Sequence, residues 1–355
     1  MEQRIPDRQG TTTGPELAAL RAVYMDEQRQ ALYPDLFMTP ANEQLFRAER
    51  AGSGLMTMAM RHRTLTSRQR AALGVFRLQQ FALCGWYDLA VIFERRLLVD
   101  PLLAECPDET IHIIVGSQPD CRVLAYFCLQ AAAPFASYGH HARSDHARTP
   151  RIADHDRPIY PTELDQFGTE VFASLPRLAA LPIDRVFELE CLLSNRAVTS
   201  PLGFAALIEG FYTVSLLVRD RRMGIDALIG NVERRARRVV KSLGVPVLYT
   251  PRAPTAAKPH DALWADDMFT PGQFWPFVIA TEDLDRHARW FAQLDKALDA
   301  TTDDMKQSLV ELLKQPASTR PYAFVPTEND ADSPYFWTDD PFFGDAKDRA
   351  HVVSS

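Results

Sequence analysis

The sequence predicts an α/β protein: a mixed β-sheet flanked by helices, with helical extensions at both ends. Three observations carry this. Segments with strand character recur at 55–61, 110–115, 122–130, 185–193, 225–229, 245–249 and 274–280. Helical segments at 201–218 and 232–243 alternate with the later strands, as crossover connections between parallel strands do. Two earlier strands are separated only by GSQPDC, a turn signal that predicts an antiparallel hairpin. A sheet with both kinds of pairing is mixed.

The elements follow in order. Leu17, Leu20, Val23 and Tyr24 are spaced for a first helix over 15–29. In 55–61, Met56, Met58 and Met60 share one face of a strand. Thr66 or Ser67 caps a helix running to Tyr87, with Ala72, Val75, Phe76, Gln79 and Leu83 along its face. Another helix covers 89–99 and is stopped by Pro101. After the hairpin, 131–161 is polar and rich in His, Arg, Asp and Pro, which predicts a long surface loop. A short helix is expected at 164–173. Pro201 suits the first turn of the helix that follows the 185–193 strand. Pro276 restricts the last strand to an edge or a bend. Helices at 282–298 and 303–313 close the body. The organisation expected is an N-terminal extension (1–65), a main domain (66–313) and an extended, aromatic and acidic tail (314–355).

Composition narrows the function. At 355 residues the chain buries a sizeable core, and 46% hydrophobic with 24% charged residues is ordinary for a globular protein. A net charge of -7 argues against a dedicated nucleic-acid binder. No run approaches the roughly 20 apolar residues of a membrane span. The N-terminus lacks a signal-like apolar region, and the five scattered cysteines contain no CxxC pair. A reduced, cytoplasmic protein is expected. His140, His141, His146 and His155 share a loop with three aspartates, but no HExxH or finger spacing is present, so no metal is expected.

Two segments hold candidate chemistry. Strict alternation through 185–195 puts Glu188, Glu190 and Leu192 on one strand face and Phe187, Leu189 and Cys191 on the other. Two carboxylates buried together raise one another's pKa, which creates a general base near neutrality; pairing with an arginine is the alternative. The loop SNRAVTSPLG after that strand offers helix-start N–H groups and Arg196 to a phosphate. In 223–244 a strand reaches Asn231 and then a helix whose Arg234, Arg237, Arg238 and Lys241 share one face. With Arg219, Arg221 and Arg222 this is the densest basic region, suited to a cofactor phosphate, an acidic carrier protein or RNA, or simply to solvent.

Together these segments resemble the GCN5-related N-acetyltransferase (GNAT) superfamily. The likeness is greatest to its acyl-homoserine-lactone synthase and N-acyl amino acid synthase branch. FRLQQFALCGWYD, with Arg77, Phe81 and Trp86, is similar to that branch's Arg…Phe…Trp helix. HIIVGSQPDCRVLAYFCLQ resembles the paired strands before the acceptor site. RVFELECLLSNR resembles the central strand that splays to admit a thioester, and IDALIGNVERRARRVVKSLGV the strand, Asn and helix that follow. The resemblance implies a three-layer GNAT-like fold and acyl transfer to the amine of a small molecule, without metal, bound cofactor or covalent intermediate. It implies Glu188 or Glu190 as base, with Ser194, and backbone donors at Leu192, Leu193 and Ser194. Arg196, Asn231, Arg234, Arg237 and Arg238 would hold the donor, and Arg77, Phe81, Trp86 and Tyr126 the acceptor or acyl group. Of the family's phosphate loop only Arg196 and Gly203 remain, so the donor is open between acyl-coenzyme A, an acyl-carrier protein and an aminoacyl-tRNA. A non-catalytic binding protein on this fold is the other alternative.

Overall fold

The computed structural model of the chain describes residues 33–38, 40, 43–118, 120–131, 181–195, 201–233, 248–249, 263–265, 274–286 and 288–314. Its strands are β1 (Gln44–Glu49), β2 (Leu55–Arg61), β3 (Ile111–Ser117), β4 (Val123–Ala131), β5 (Val186–Ser194), β6 (Ala227–Glu233), β7 (Leu248–Tyr249) and β8 (Phe274–Ala280). The helices are α1 (Ser67–Cys84), α2 (Leu89–Glu94), α3 (Pro201–Arg219), α4 (Thr281–Arg286), α5 (Ala288–Leu298) and α6 (Thr302–Lys314). The strands form one sheet in the order β1-β2-β3-β4-β5-β6-β8-β7. Every described pairing is antiparallel except β5–β6, which α3 connects. The sheet is mixed, as predicted. β1 and β2, inside the expected N-terminal extension, are its first two strands.

Both sheet faces are covered, which gives three layers. On one face Met56, Met58 and Met60 of β2 join Ile114, Tyr126 and Cys128 under α1. On the other, Leu55, Ile113, Phe127 and Leu189 pack beneath α3, α5 and α6. This explains why β3 and β4 read as unbroken apolar runs. Thr66 caps α1 in a reciprocal box with Gln69, and Gly85 ends it at φ 73°. Helix α2 stops at Glu94, short of the predicted 99, because Arg96 turns left-handed at φ 51°. The predicted 282–298 helix is described as α4 and α5. Strand β8 lies between β6 and β7 rather than at the edge. Among the described residues β7 pairs with β8 at Phe277 and Val278, and Pro276 faces Asn231 of β6. The predicted helices 15–29 and 164–173, the 132–161 loop and the 315–355 tail lie outside the described residues.

Helix α3 is apolar enough over Leu202–Arg219 to cross a membrane by length and composition, contrary to the expectation that no such run exists. Two thirds of that window is buried in the core (67%), which accounts for its hydropathy. Its one buried acid, Glu209, is matched by Arg50 at 3.1 Å and Thr57 at 3.2 Å, while Arg50 also reaches Asp295 of α5 at 2.7 Å. These bonds tie the β1–β2 connection to the α3 layer. Next to Glu209, Gly210 makes room for Phe127: a Cβ at 210 would lie 1.9 Å from the ring. Gly210→Ala is therefore expected to cost about 1–3 kcal/mol of stability, read as a lower urea midpoint.

Candidate active site

The site is built where the parallel pair comes apart. β5 pairs with β4 from Phe187 to Ser194, but with β6 at three positions only: Val186 with Ala227, Phe187 with Leu228 and Glu188 with Ile229. Past Glu188, β6 keeps its register with β8 as far as Glu233 and Phe274. The two strands leave one another and open a wedge. Gly230 sits at its apex, where a Cβ would come within 3.1 Å of the Leu189 carbonyl oxygen. On β5 the Asn195 N–H bonds the Leu124 carbonyl of the β4 side at 2.8 Å. Alternation then turns the N–H groups of Ser194 and Leu192 away from β4 and into the wedge.

A bulge reshapes β5 beside the wedge. Its register with β4 runs Cys128–Cys191, then Leu129–Leu189, which leaves Glu190 as the extra residue. Strict alternation, assumed from the sequence, fails here. Leu192 packs toward α3 with Phe187 and Leu189, whereas Cys191 and Leu193 pack toward α1. Glu188 and Glu190 both serve the α1 face. The Ser194 side chain, one residue past Leu193, falls on the opposite face and is not beside the carboxylates.

Arg77 of α1, fully buried, organises this face. Its Nε donates to Asp100 at 2.5 Å and its amino groups to Tyr126 at 3.2 Å, Glu190 at 3.2 Å and the Cys191 sulfur at 3.5 Å. Tyr87 and the Leu102 N–H complete Asp100 at 2.8 and 3.0 Å. The guanidinium also lies 5.1 Å from the Phe81 ring centre, on which Trp86 stacks. Burial works to raise the Glu190 pKa, but Arg77 and the Cys128 thiol outweigh it and hold the carboxyl below its usual range. The expected mutual elevation of the two glutamates therefore does not apply to Glu190; pairing with an arginine prevails. Glu190 keeps 26% of its side chain exposed, whereas Glu188 is buried.

Arg77 also sets the direction of a hydrogen-bond chain, since it can only donate. Tyr126 accepts from it and so donates to His112 Nδ1 at 2.8 Å; His112 Nε2 then faces His62 Nδ1 at 3.0 Å. Burial, then the proximity of His62 and Arg77, depresses the His112 pKa well below normal. A histidine kept neutral by the fold stabilises it fully above its unfolded pKa of about 6.5, and that contribution is lost as pH falls through the folded value. Melting temperature is expected to drop from pH 7.5 to 5.5, and His112→Phe to flatten that slope.

The sequence-predicted residues divide clearly. Arg77, Phe81, Trp86, Tyr126, Glu188 and Glu190 come together on the α1 side, with Arg77, Phe81 and Tyr126 as its buried foundation. Leu192 and Ser194 offer backbone N–H groups to the wedge, while the Leu193 side chain is core. Asn231 is not in a turn: it is inside β6, opposite Pro276, and Val232 and Glu233 continue the strand, while the rest of the helix expected over 232–243 lies outside the described residues. Strand register with β8 overrides the helical period there. Arg196, Arg234, Arg237 and Arg238 lie outside the described residues. Arg219 and Arg222 are paired with Asp285 and Asp220, and Arg221 and Arg222 precede β6 at the end away from the wedge mouth. Sequence reasoning missed Asp100, Tyr87, His112, His62 and Asn195. Asn195 ties the end of β5 to Val123 at 2.7 Å and to Gln80 of α1 at 3.3 Å. An arginine amid the apolar run of α1 was the available signal that a buried acid must exist.

No protein-family model matches the chain, and no curated protein matches it. Several solved structures are similar in part. The acyl-homoserine-lactone synthase LasI covers 65% of this chain and 91% of its own, at 13% identity and a TM-score of 0.38. TofI in an apo form covers 70% and 98%, at 16% and 0.35. FeeM, an N-acyl amino acid synthase from uncultured soil microbes, covers 64% and 92%, at 10% and 0.33.

Proposed function

We propose that the protein is an N-acyltransferase that moves an acyl group from a thioester to the amine of a small molecule. The observation that carries the reading is the wedge: a parallel strand pair parted after three rungs, with N–H donors along one edge and carboxylates beside it. A thioester laid along β5 would accept hydrogen bonds from Leu192 and Ser194, which polarise its carbonyl and stabilise the oxyanion. The amine nitrogen attacks the carbonyl carbon, its proton passes to Glu188, the C–N bond forms and the C–S bond breaks. The thiolate leaves and takes up a proton. Glu190, held ionised by Arg77, is a weak base and acts instead as a fixed negative charge beside the acceptor. Trp86 is the one half-buried aromatic of the set and shapes the acceptor side. The donor is acyl-coenzyme A or an acyl-carrier protein, and Asn231, Arg196, Arg234, Arg237 and Arg238 are the residues proposed to hold it. All five cysteines are free thiols, which supports work in a reducing cytoplasm.

The test is a panel of acyl-coenzyme A, acyl-carrier and aminoacyl-tRNA donors with mixed amines, read by product mass. A new amide with release of free thiol is expected. No donor consumed with any amine sinks the reading, and a product lost on ribonuclease treatment makes the donor an aminoacyl-tRNA.

A further inference from the structure

Two buried side chains on the α1 face have oxygens with no hydrogen-bond partner. They are Gln130 Oε1 and Thr110 Oγ1, on residues that are at most 1% exposed. Gln130 is directly opposite Glu188 across β4 and β5. Continuing the β3–β4 register past Ile111–Leu129 brings Thr110 opposite Gln130. Both share the face of Tyr126 and Cys128 on β4 and of His112 on β3. Thr110, Gln130 and Glu188 thus form a row across three strands, and the row ends at the last rung before the wedge. An unsatisfied buried polar atom costs about 1–3 kcal/mol. Two neighbouring ones beside a carboxyl group are a large penalty for a sheet that could carry valines there.

The row's chemistry says what would satisfy it. An amide oxygen, a hydroxyl and a carboxyl group present acceptors in a line and call for a compact donor-rich group. We infer that Thr110, Gln130 and Glu188 form the subsite for the ammonium group of the acceptor, so that the acceptor binds as a cationic alkylamine, gives one proton to Glu188 to free its lone pair for attack and, once the C–N bond has formed, gives a second to the departing thiolate. This rests on the acyl-transfer reading, because it gives that reaction's acceptor its binding site. Glu190, partly exposed two residues further along β5, adds negative charge on the approach.

Binding is tested without any donor, by saturation-transfer NMR titration of the full chain with butylammonium and with neutral butanol. Butylammonium is expected to bind and butanol not, with affinity reduced at least tenfold in both Gln130→Leu and Thr110→Val. Both variants are expected to melt no lower than the parent, because each removes an orphaned polar atom. Equal binding of the two probes, or undiminished binding in the variants, overturns the proposal and leaves only ordered water in the row. A lowered melting temperature in both variants overturns it too, since the oxygens then already have partners. Thioester consumption is read separately. Amide formation with unchanged KM for the amine in both variants removes the subsite and leaves acyl transfer standing. Variant-sensitive butylammonium binding with no donor ever consumed removes acyl transfer and leaves a cation site.

Discussion

Arg77→Met is expected to destabilise the protein by about 3–5 kcal/mol, because Asp100 and Glu190 lose the charge that compensates them. Asp100 has no exposed side-chain surface at all and Arg77 almost none, so water cannot replace the guanidinium. Thermal unfolding followed by circular dichroism should register a fall in melting temperature on the order of 10 °C. The double variant Arg77→Met/Asp100→Asn isolates the cause. If orphaned charge is the penalty, the pair of changes costs less than the sum of the singles, by a coupling of about 1–3 kcal/mol. Additive losses would mean that Arg77 acts by packing on Phe81 and Tyr126 instead.

Glu188→Gln is expected to lower kcat/KM for acyl transfer by roughly 10²- to 10⁴-fold, the range for loss of a general base. The substitution keeps the shape of the side chain and its place opposite Gln130. Stability should change little, and the loss should appear in kcat more than in KM. Glu190→Gln is the informative contrast. Its carboxyl is already held low by Arg77, so removing it takes away a charge and no useful base, and a smaller effect confined to KM is expected. Equal collapse of kcat in both variants would assign proton transfer to the pair jointly. An unchanged rate in Glu188→Gln would remove Glu188 as the base and leave it a part in holding the acceptor only.

Much of this arrangement was legible in the residues. The methionine face of β2, the β3–β4 turn, the Thr66 cap and the carboxylates of β5 were each read from local rules, and each occupies the place those rules gave it. Failures occurred where a distant partner overrode a local period. The bulge at Glu190 moves Cys191 to the other face, and nothing within 185–195 announces it, since a bulge is a relation between two strands. Val232 and Glu233 look helical alone but pair with Trp275 and Phe274, about forty residues away. Asp100 and Tyr87 gave no sign of a site because their role depends on Arg77, and Arg77 meets Glu190 only after a separation of 113 residues.

The three rungs between β5 and β6 have a kinetic consequence. Antiparallel neighbours such as β3 and β4 close through short turns, whereas this parallel seam must wait for α3 to form and cross over. Among the described residues it joins a five-stranded block to a three-stranded one through three paired positions, fewer than any junction except that of the two-residue β7. In the native protein it is the line along which the two blocks part most cheaply, so amides at Glu188 to Leu189 and Ile229 to Gly230 should exchange with deuterium ahead of those in the β3–β4 hairpin.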